Sequence, residues 1–140
     1  MTDEDPNRAN PHVVAEFRAN AGKVGGYFAD VPLLLLTTTG ATTGRARSRP
    51  VAYLAEGDRY VIVAANAGSV NHPDWYHNLV ADPHVTIEVG NQTLPATAHI
   101  QTGAERAALI ERCVAAQPQL TLYQARTTRQ IPVIALEVHL

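Results

Sequence analysis

The sequence has little cysteine and no long hydrophobic run. Cys113 is its only cysteine, so an intrachain disulfide is excluded and a reducing cytoplasm is the simplest location. No apolar stretch approaches the roughly 20 residues of a membrane-spanning helix, and we expect no signal peptide because the N-terminus is acidic and polar. A net charge of −2 gives no global reason to expect a nucleic-acid partner. A cytoplasmic protein with a small-molecule partner is therefore favoured.

Several common catalytic patterns are also missing. The only serines, Ser48 and Ser69, lie outside any G-x-S-x-G motif, which disfavours a serine hydrolase. The six histidines lack H-x-x-x-H spacing, so no metal site is predicted. Neither G-x-G-x-x-G nor G-K-[ST] occurs, and a Rossmann dinucleotide site or a P-loop is unsupported.

The most informative run present is residues 33–54. Leu33–Thr39 carries four leucines and three threonines, which is typical of a buried strand. Gly40 and Gly44 then bracket a turn rich in threonine. Arginines follow at every second position, at 45, 47 and 49, so an extended backbone would point them to one side. The run predicts either an anion cradle or a hairpin with a solvated basic face, with about even weight.

The rest of the chain predicts an α+β, mainly β, protein. The expected elements are a helix from Pro11 that ends at Gly22, Gly25 and Gly26, strands 33–39, 49–55, 59–65, 85–89, 92–100 and 132–138, a short helix after Pro73, a helix from a Thr102–Glu105 capping box to about 116, and a helical turn at 120–126. About six mostly antiparallel strands with peripheral helices favour a split β-barrel over a parallel α/β sheet. We expect residues 1–10 to be flexible and residues 11–140 to form a single cofactor-binding domain.

Two further features have alternative interpretations. The N-terminal helix is expected to cover the domain, while peripheral contact with the inner face of the cell membrane is the weaker alternative. Trp75, Tyr76 and Asn78 follow a glycine-bearing loop, and together they would suit a large, flat, anionic ligand. The alternative, slightly favoured from composition, is that Trp75 belongs to the core. His72 is expected to be a capping or surface residue.

Three strings taken together resemble the deazaflavin-dependent nitroreductase family. They are L-L-L-L-T-T-T-G from Leu33, V-I-V-A-A-N-A-G-x-x-x-H-P-x-W-Y-H-N-L-x-x-x-P from Val61, and Y-Q-A-R-T from Tyr123 through R-x-I-P-V from Arg129. The resemblance implies a split β-barrel oxidoreductase that binds coenzyme F420. It further implies that the reduced coenzyme delivers a hydride to a quinone, a nitro compound or an activated alkene.

The resemblance also assigns site residues. It places the coenzyme tail at Gly40, Ala41, Thr42, Thr43, Gly44 and Arg47, and the ring at Pro50, Val63, Ala64, Ala65, Asn66, Trp75, Tyr76 and Asn78. Backbone amides at Ala64 and Ala65 would stabilise charge on the ring. Tyr123 is the candidate catalytic hydroxyl, by hydrogen bonding to the acceptor.

The sequence departs from the family at the tail-binding loop. The family commonly carries an Arg-Lys pair where this chain has Ala41 and Thr42, and Arg45 and Arg49 are the candidate substitutes. An FMN-dependent split-barrel reductase or oxidase is therefore one alternative, and a non-catalytic protein that binds a flavin-like cofactor or a lipid is another. The resemblance is also compatible with a homodimer.

Overall fold

The strands form one antiparallel sheet, and the helices pack around it. The computed structural model describes residues 6–25 and 31–139. The strands of these ranges are β1 Leu33–Thr39, β2 Ala46–Ala52, β3 Leu54–Glu56, β4 Arg59–Val63, β5 His84–Val89, β6 Gln92–Ile100 and β7 Val133–Val138. Their helices are α1 Pro6–Ala19, α2 Asp74–Ala81, α3 Gly103–Ala116 and α4 Gln119–Ala125, and a 3-10 turn spans Asn66–Gly68.

A bent strand closes the sheet. The strand order is β2-β1-β5-β6-β7-β4-β3, and every neighbouring pair is antiparallel. β2 and β3 lie at opposite edges, yet Tyr53 alone separates them along the chain. Together they pair with both β1 and β4 and curl the sheet into a barrel. The predicted mainly β split barrel is confirmed, with β2 and β3 as two parts of the strand expected at 49–55, and the parallel α/β alternative is wrong.

The leucine run of β1 faces two different cores. Leu34 and Leu36 point into the barrel, where they pack with Ile62 and other buried side chains. Leu33 and Leu35 point outward and pack against α1. α1 covers the outer face of β1, so the apolar residues of α1 pack against the sheet. No helix in the described ranges is long and apolar enough to cross a membrane.

A third core joins α3 and α4 to the sheet beside β4 and β7. Its buried members are Val61, Ala65, Leu109, Cys113, Leu120, Ile131 and Val133. Cys113 is 1% exposed, as expected of a small buried residue. Burial raises the pKa of its thiol to about 11, so the thiolate is scarce at neutral pH. This core supports α4, which forms one wall of the site described below.

Several boundaries differ from the prediction. α1 begins at Pro6 rather than Pro11, because the polar residues 6–10 carry no apolar periodicity that would reveal a helix. Residues 1–5 and Gly26 lie outside the described residues. Thr102 is the N-cap of α3 but makes no side-chain capping hydrogen bond, since Gly103 follows it with a non-helical φ of +59°. The predicted capping box is wrong in that respect.

Candidate functional site

One large cleft opens between the bent strand and α4. Its volume is about 860 Å³, within the usual range of roughly 300–1,000 Å³ for ligand pockets. The lining residues are Val31, Arg49–Ala52, Val63, Ala65–Ser69, Asn71–Trp75, Gln117, Gln119, Leu120 and Tyr123. Polar and apolar side chains contribute about equally to its surface, so the cleft can hold a small ligand that has both kinds of group.

The cleft floor is the loop that follows β4. Three successive residues have positive φ, at 48° for Asn66, 52° for Ala67 and 81° for Gly68. Two of them are not glycine, and such backbone strain persists only where the surroundings hold it. Gly68 packs so tightly that a Cβ would lie 2.7 Å from the carbonyl oxygen of Tyr123. The loop is therefore held in one conformation against the end of α4.

Arg129 holds the backbone around this loop through hydrogen bonds. It donates to the carbonyl oxygens of Ser69 at 2.9 Å, Ala64 at 3.1 Å and Ala65 at 2.7 Å. No carboxylate of the described residues forms an ion pair with it, and desolvation lowers its pKa. Its guanidinium is engaged by these carbonyl oxygens and by His72, and it does not line the cleft. The carbonyl oxygens of Ala64 and Ala65 accept from Arg129 instead of from a neighbouring strand, which explains why β4 ends at Val63 and not at Ala65.

Arg129 fixes the state of His72. Its Nη1 lies 3.0 Å from His72 Nδ1, and a guanidinium can only donate, so Nδ1 accepts and the proton of the neutral ring is on Nε2. Burial of the ring, together with the positive charges of Arg129 and His77, lowers the pKa of His72. His72 lines the cleft as a neutral hydrogen-bond donor. His72 is partly exposed, in agreement with the expected surface position, and that surface is the wall of the cleft.

The β1–β2 loop is held by one side chain from α2. Asn78 Oδ1 accepts from the Ala41 N–H at 2.9 Å, and Asn78 Nδ2 donates to Thr38 Oγ1 at 3.1 Å. The loop also closes on itself, since the Gly40 N–H donates to the Arg45 carbonyl oxygen at 2.7 Å. Asn78 is 8% exposed. Its contacts within the chain position the loop.

The arginines of this hairpin do not act as one row. Arg45 precedes β2, whereas Arg47 and Arg49 pair with Thr38 and Leu36 of β1 and share one face. Arg49 lines the cleft, while Arg45 and Arg47 are exposed and lie outside its lining. The cation placed to meet a ligand in the cleft is Arg49.

The structure brings six of the fifteen predicted site residues together in the cleft. Pro50, Val63, Ala65, Asn66, Trp75 and Tyr123 line the cleft, and Trp75 is also partly buried against the barrel core. Gly40, Ala41, Thr42, Thr43, Gly44, Arg47, Ala64, Tyr76 and Asn78 do not line it. Ala64 is fully buried, and its N–H donates to the Pro132 carbonyl oxygen at 2.9 Å, so this amide cannot serve a ligand.

Sequence reasoning missed His72 and Arg129 as site residues. Both lie inside the strings on which the resemblance depends, His72 before Pro73 and Arg129 shortly after Tyr123. Their hydrogen bond joins residues 57 positions apart. Their position within the shared strings was the available signal that both residues matter. That they form a hydrogen bond with each other could be known only from the fold.

Known proteins share this architecture. The sequence profile of the family described as F420H(2)-dependent quinone reductase matches residues 10–138. An F420H(2)-dependent quinone reductase of Mycobacterium tuberculosis is 39% identical over 126 residues, covering 87% of this chain and 85% of that protein. A solved F420-H2 dependent reductase is 39% identical with a TM-score of 0.70, covering 76% of this chain and 94% of its own. Another solved chain, a domain-swapped dimer, is 35% identical with a TM-score of 0.73, covering 96% and 98%.

Proposed function

Because this chain belongs to the F420H(2)-dependent quinone reductase family, we propose that it binds reduced coenzyme F420 in the 860 Å³ cleft and reduces a quinone there. The observation that carries the placement is the convergence of Arg49, Trp75 and Tyr123 on the strained loop 66–68. Nitro compounds and activated alkenes are further candidate acceptors, because they also accept a hydride.

The residues of the cleft fit a planar ring with an acidic tail. Val63, Pro50 and Trp75 supply apolar surface, and Ala65 is small enough to let a ring approach the backbone. Arg49 supplies positive charge at the cleft wall, and we assign the role expected of Arg47 to Arg49. The loop Gly40–Gly44 would meet the part of the tail that extends beyond the cleft.

The protein's own contribution is alignment and hydrogen bonding. The coenzyme, when bound, supplies the hydride. A quinone that accepts a hydride becomes a hydroquinone anion and then takes up one proton, so donors beside its oxygens stabilise the developing charge. Tyr123 and the Nε2–H of His72 are the candidate donors, and neutral His72 acts by hydrogen bonding rather than as an acid. The backbone amide assigned to the ring is that of Ala65.

The experiment mixes the purified protein with reduced F420 or reduced FMN and a water-soluble naphthoquinone. We expect the absorbance of oxidised F420 to return far faster with protein than without it, and reduced FMN to give little turnover. Turnover with FMN alone would support the flavin alternative. Coenzyme binding without turnover on any acceptor would support a non-catalytic carrier and contradict the proposal.

Arg49 and Arg47 form a matched pair for testing the charge contact. We expect Arg49→Ala to weaken F420 binding by about tenfold at low salt and by less at 0.5 M salt, because screening weakens charge contacts. Arg47→Ala should change the affinity by less than about threefold. A larger effect at Arg47, or equal effects at both salt concentrations, would contradict the assignment to Arg49.

We also propose a homodimer, since one related chain forms a domain-swapped dimer. Light scattering on a sizing column would measure the mass in solution, and a monomer would contradict this. Peripheral membrane contact has less support, because Val13 and Phe17 of α1 are buried against β1. Co-sedimentation with anionic vesicles tests it, with protein remaining in the supernatant as the contradicting result.

A further inference from the structure

The segment that carries Arg129 is held by side chains. Residues 126–132 join α4 to β7 and contain neither helix nor strand. The guanidinium of Arg129 nevertheless reaches three carbonyl oxygens and the ring of His72 at once. A long side chain can keep so many partners only where its own backbone is fixed, because ordering it costs rotamer entropy. The contacts that fix residues 126–132 therefore decide where the guanidinium lies.

A glutamine of α4 supplies the central contact. Gln124 Nε2 donates to the Arg129 carbonyl oxygen at 2.8 Å, and Gln124 Oε1 accepts from the Ile131 N–H at 3.1 Å. A side-chain amide offers one acceptor and two donor hydrogens, so it can replace the peptide partner that a strand would provide. Arg106 of α3 donates to the Ile131 carbonyl oxygen at 2.6 Å, at the far end of the segment. The Arg129 carbonyl oxygen itself is held by Gln124.

The same helix also supplies a residue of the cleft. Tyr123 lines the cleft, whereas its neighbour Gln124 does not and bonds to the segment after α4. α4 thus places Tyr123 directly and places His72 through Gln124 and Arg129. Both candidate donors of the cleft depend on the position of this one helix.

We propose that Gln124 is a positioning residue for the reaction, which holds the backbone of Arg129 so that the guanidinium stays on the cleft floor and on His72. Its importance for the reaction rests on the proposed function, whereas its hold on Arg129 does not. Gln124 touches no ligand in this role. Without it, the guanidinium should leave its partners more often, and the floor should open locally.

The first test replaces Gln124 with methionine, which has a similar length but no amide. Gln130→Met is the matched control, because Gln130 is exposed and forms no side-chain hydrogen bond with the described residues. In the coenzyme-free protein, we expect Gln124→Met to accelerate hydrogen exchange at Arg129 Nε–H and at the Gly68 and Ser69 amides by about tenfold. The Arg129 signal is identified by its loss in Arg129→Lys.

Exchange at the amides of β1 should not change in Gln124→Met, and Gln130→Met should match the wild type throughout. Acceleration across the whole sheet would show that Gln124 contributes only to global stability, and equal effects of the two methionine variants would remove its specific role. Either result would overturn the proposal.

A double-mutant cycle tests whether Gln124 acts through Arg129. In isothermal titration with F420, we expect Gln124→Met to weaken binding by about threefold in the wild type. In the Arg129→Lys background the further loss should be less than about 1.5-fold, because effects passed through one residue do not add. Additive losses would contradict the proposed route.

Should Gln124→Met fail to fold, Gln124→Glu keeps an acceptor for the Ile131 N–H and loses the donor to the Arg129 carbonyl oxygen. We expect the same faster exchange at Arg129 and the floor, and unchanged exchange in this variant would overturn the proposal. If the wild type does not bind F420, the proposed function fails. The exchange measurements, made without coenzyme, then still decide whether Gln124 positions Arg129.

Discussion

The two loops that the sequence assigns to the coenzyme are built in opposite ways. The β4–α2 loop, residues 64–73, is held by the guanidinium of Arg129 and by the close packing of Gly68 on α4. The β1–β2 loop, Gly40–Gly44, is largely exposed and is tied to the rest of the protein through Asn78. A rigid floor suits a flat ring that must be aligned for hydride transfer, whereas an exposed loop suits a flexible tail.

The same contrast explains how the chain tolerates its unusual loop sequence. Ala41 and Thr42 replace the cations that are common in the family, and they do so in the exposed loop. We propose that Arg49 compensates from β2, where the strand pairing with Leu36 fixes its position at the cleft. A strand-borne cation is held at lower entropic cost than one on a loop.

The largest effect is expected from adding a methyl group at Gly68, in the loop that forms the floor of the cleft. Gly68→Ala combines a left-handed φ of +81° with a Cβ only 2.7 Å from the Tyr123 carbonyl oxygen. We expect a loss of about 3 kcal/mol in the free energy of unfolding, measured in urea, together with loss of coenzyme binding. Gly57→Ala is the matched control, since φ is +60° but no atom lies within 4 Å, and it should lose about 1 kcal/mol with affinity retained. Equal losses would show that the floor is not tightly packed.

The next largest effect is expected when the loop 64–73 loses hydrogen bonds without any steric clash being introduced. Arg129→Lys keeps the charge but cannot reproduce the fork that spans the carbonyl oxygens of Ala64, Ala65 and Ser69. We expect amide exchange in residues 64–72 to accelerate and coenzyme affinity to fall by about tenfold. Arg126→Lys, which loses one contact to Ala67 at 3.3 Å, should change both by much less. Unchanged exchange in Arg129→Lys would remove the claim that this residue holds the floor.

The exposed loop should respond more weakly to loss of its own clamp. Asn78→Leu leaves the Ala41 N–H and Thr38 Oγ1 without their partner, at a cost of about 1–3 kcal/mol. Coenzyme affinity should fall by about threefold to fivefold in isothermal titration. Thr38→Val removes the hydrogen bond from Asn78 Nδ2 to Thr38 Oγ1 but keeps the one from the Ala41 N–H to Asn78 Oδ1. It should therefore leave coenzyme affinity unchanged. If it weakens binding as much as Asn78→Leu, the Ala41 contact does not position the loop.

Local patterns predicted the parts of the fold that local physics decides. Leu33–Thr39 and Gln92–Ile100 have the expected bounds, because β-branched and apolar residues run up to clear turn signals. The break at Tyr53 was missed, since the β-forming sequence continues through it. There the Tyr53 N–H turns to the Pro32 carbonyl oxygen as the strand crosses from one sheet edge to the other.

The site was predicted less completely, because its decisive contacts join distant residues. Asn78 reaches Ala41 across 37 positions, and Arg129 reaches Ala64 across 65. The resemblance placed the coenzyme tail at Arg47, whereas Arg49 is the arginine that lines the cleft. That distinction depends on where the cleft meets β2, which no spacing in the sequence reveals.

The smallest effect concerns the pH response of the floor. Because the folded pKa of His72 is depressed, the unfolded chain binds a proton below pH ~6.5 that the folded protein resists, so stability falls as the pH falls toward the folded value. Asn at position 72 can still accept from Arg129 but does not titrate. The unfolding midpoint of His72→Asn should therefore fall less between pH 7 and 5.5 than that of the wild type. His77, which faces His72 at 5.7 Å between ring centroids, stays in both proteins, so the difference between them isolates His72. If the unfolding midpoints of the two proteins fall equally with pH, His72 gains its proton without disturbing Arg129. The stability of the loop 64–73 would then not require a neutral His72 ring.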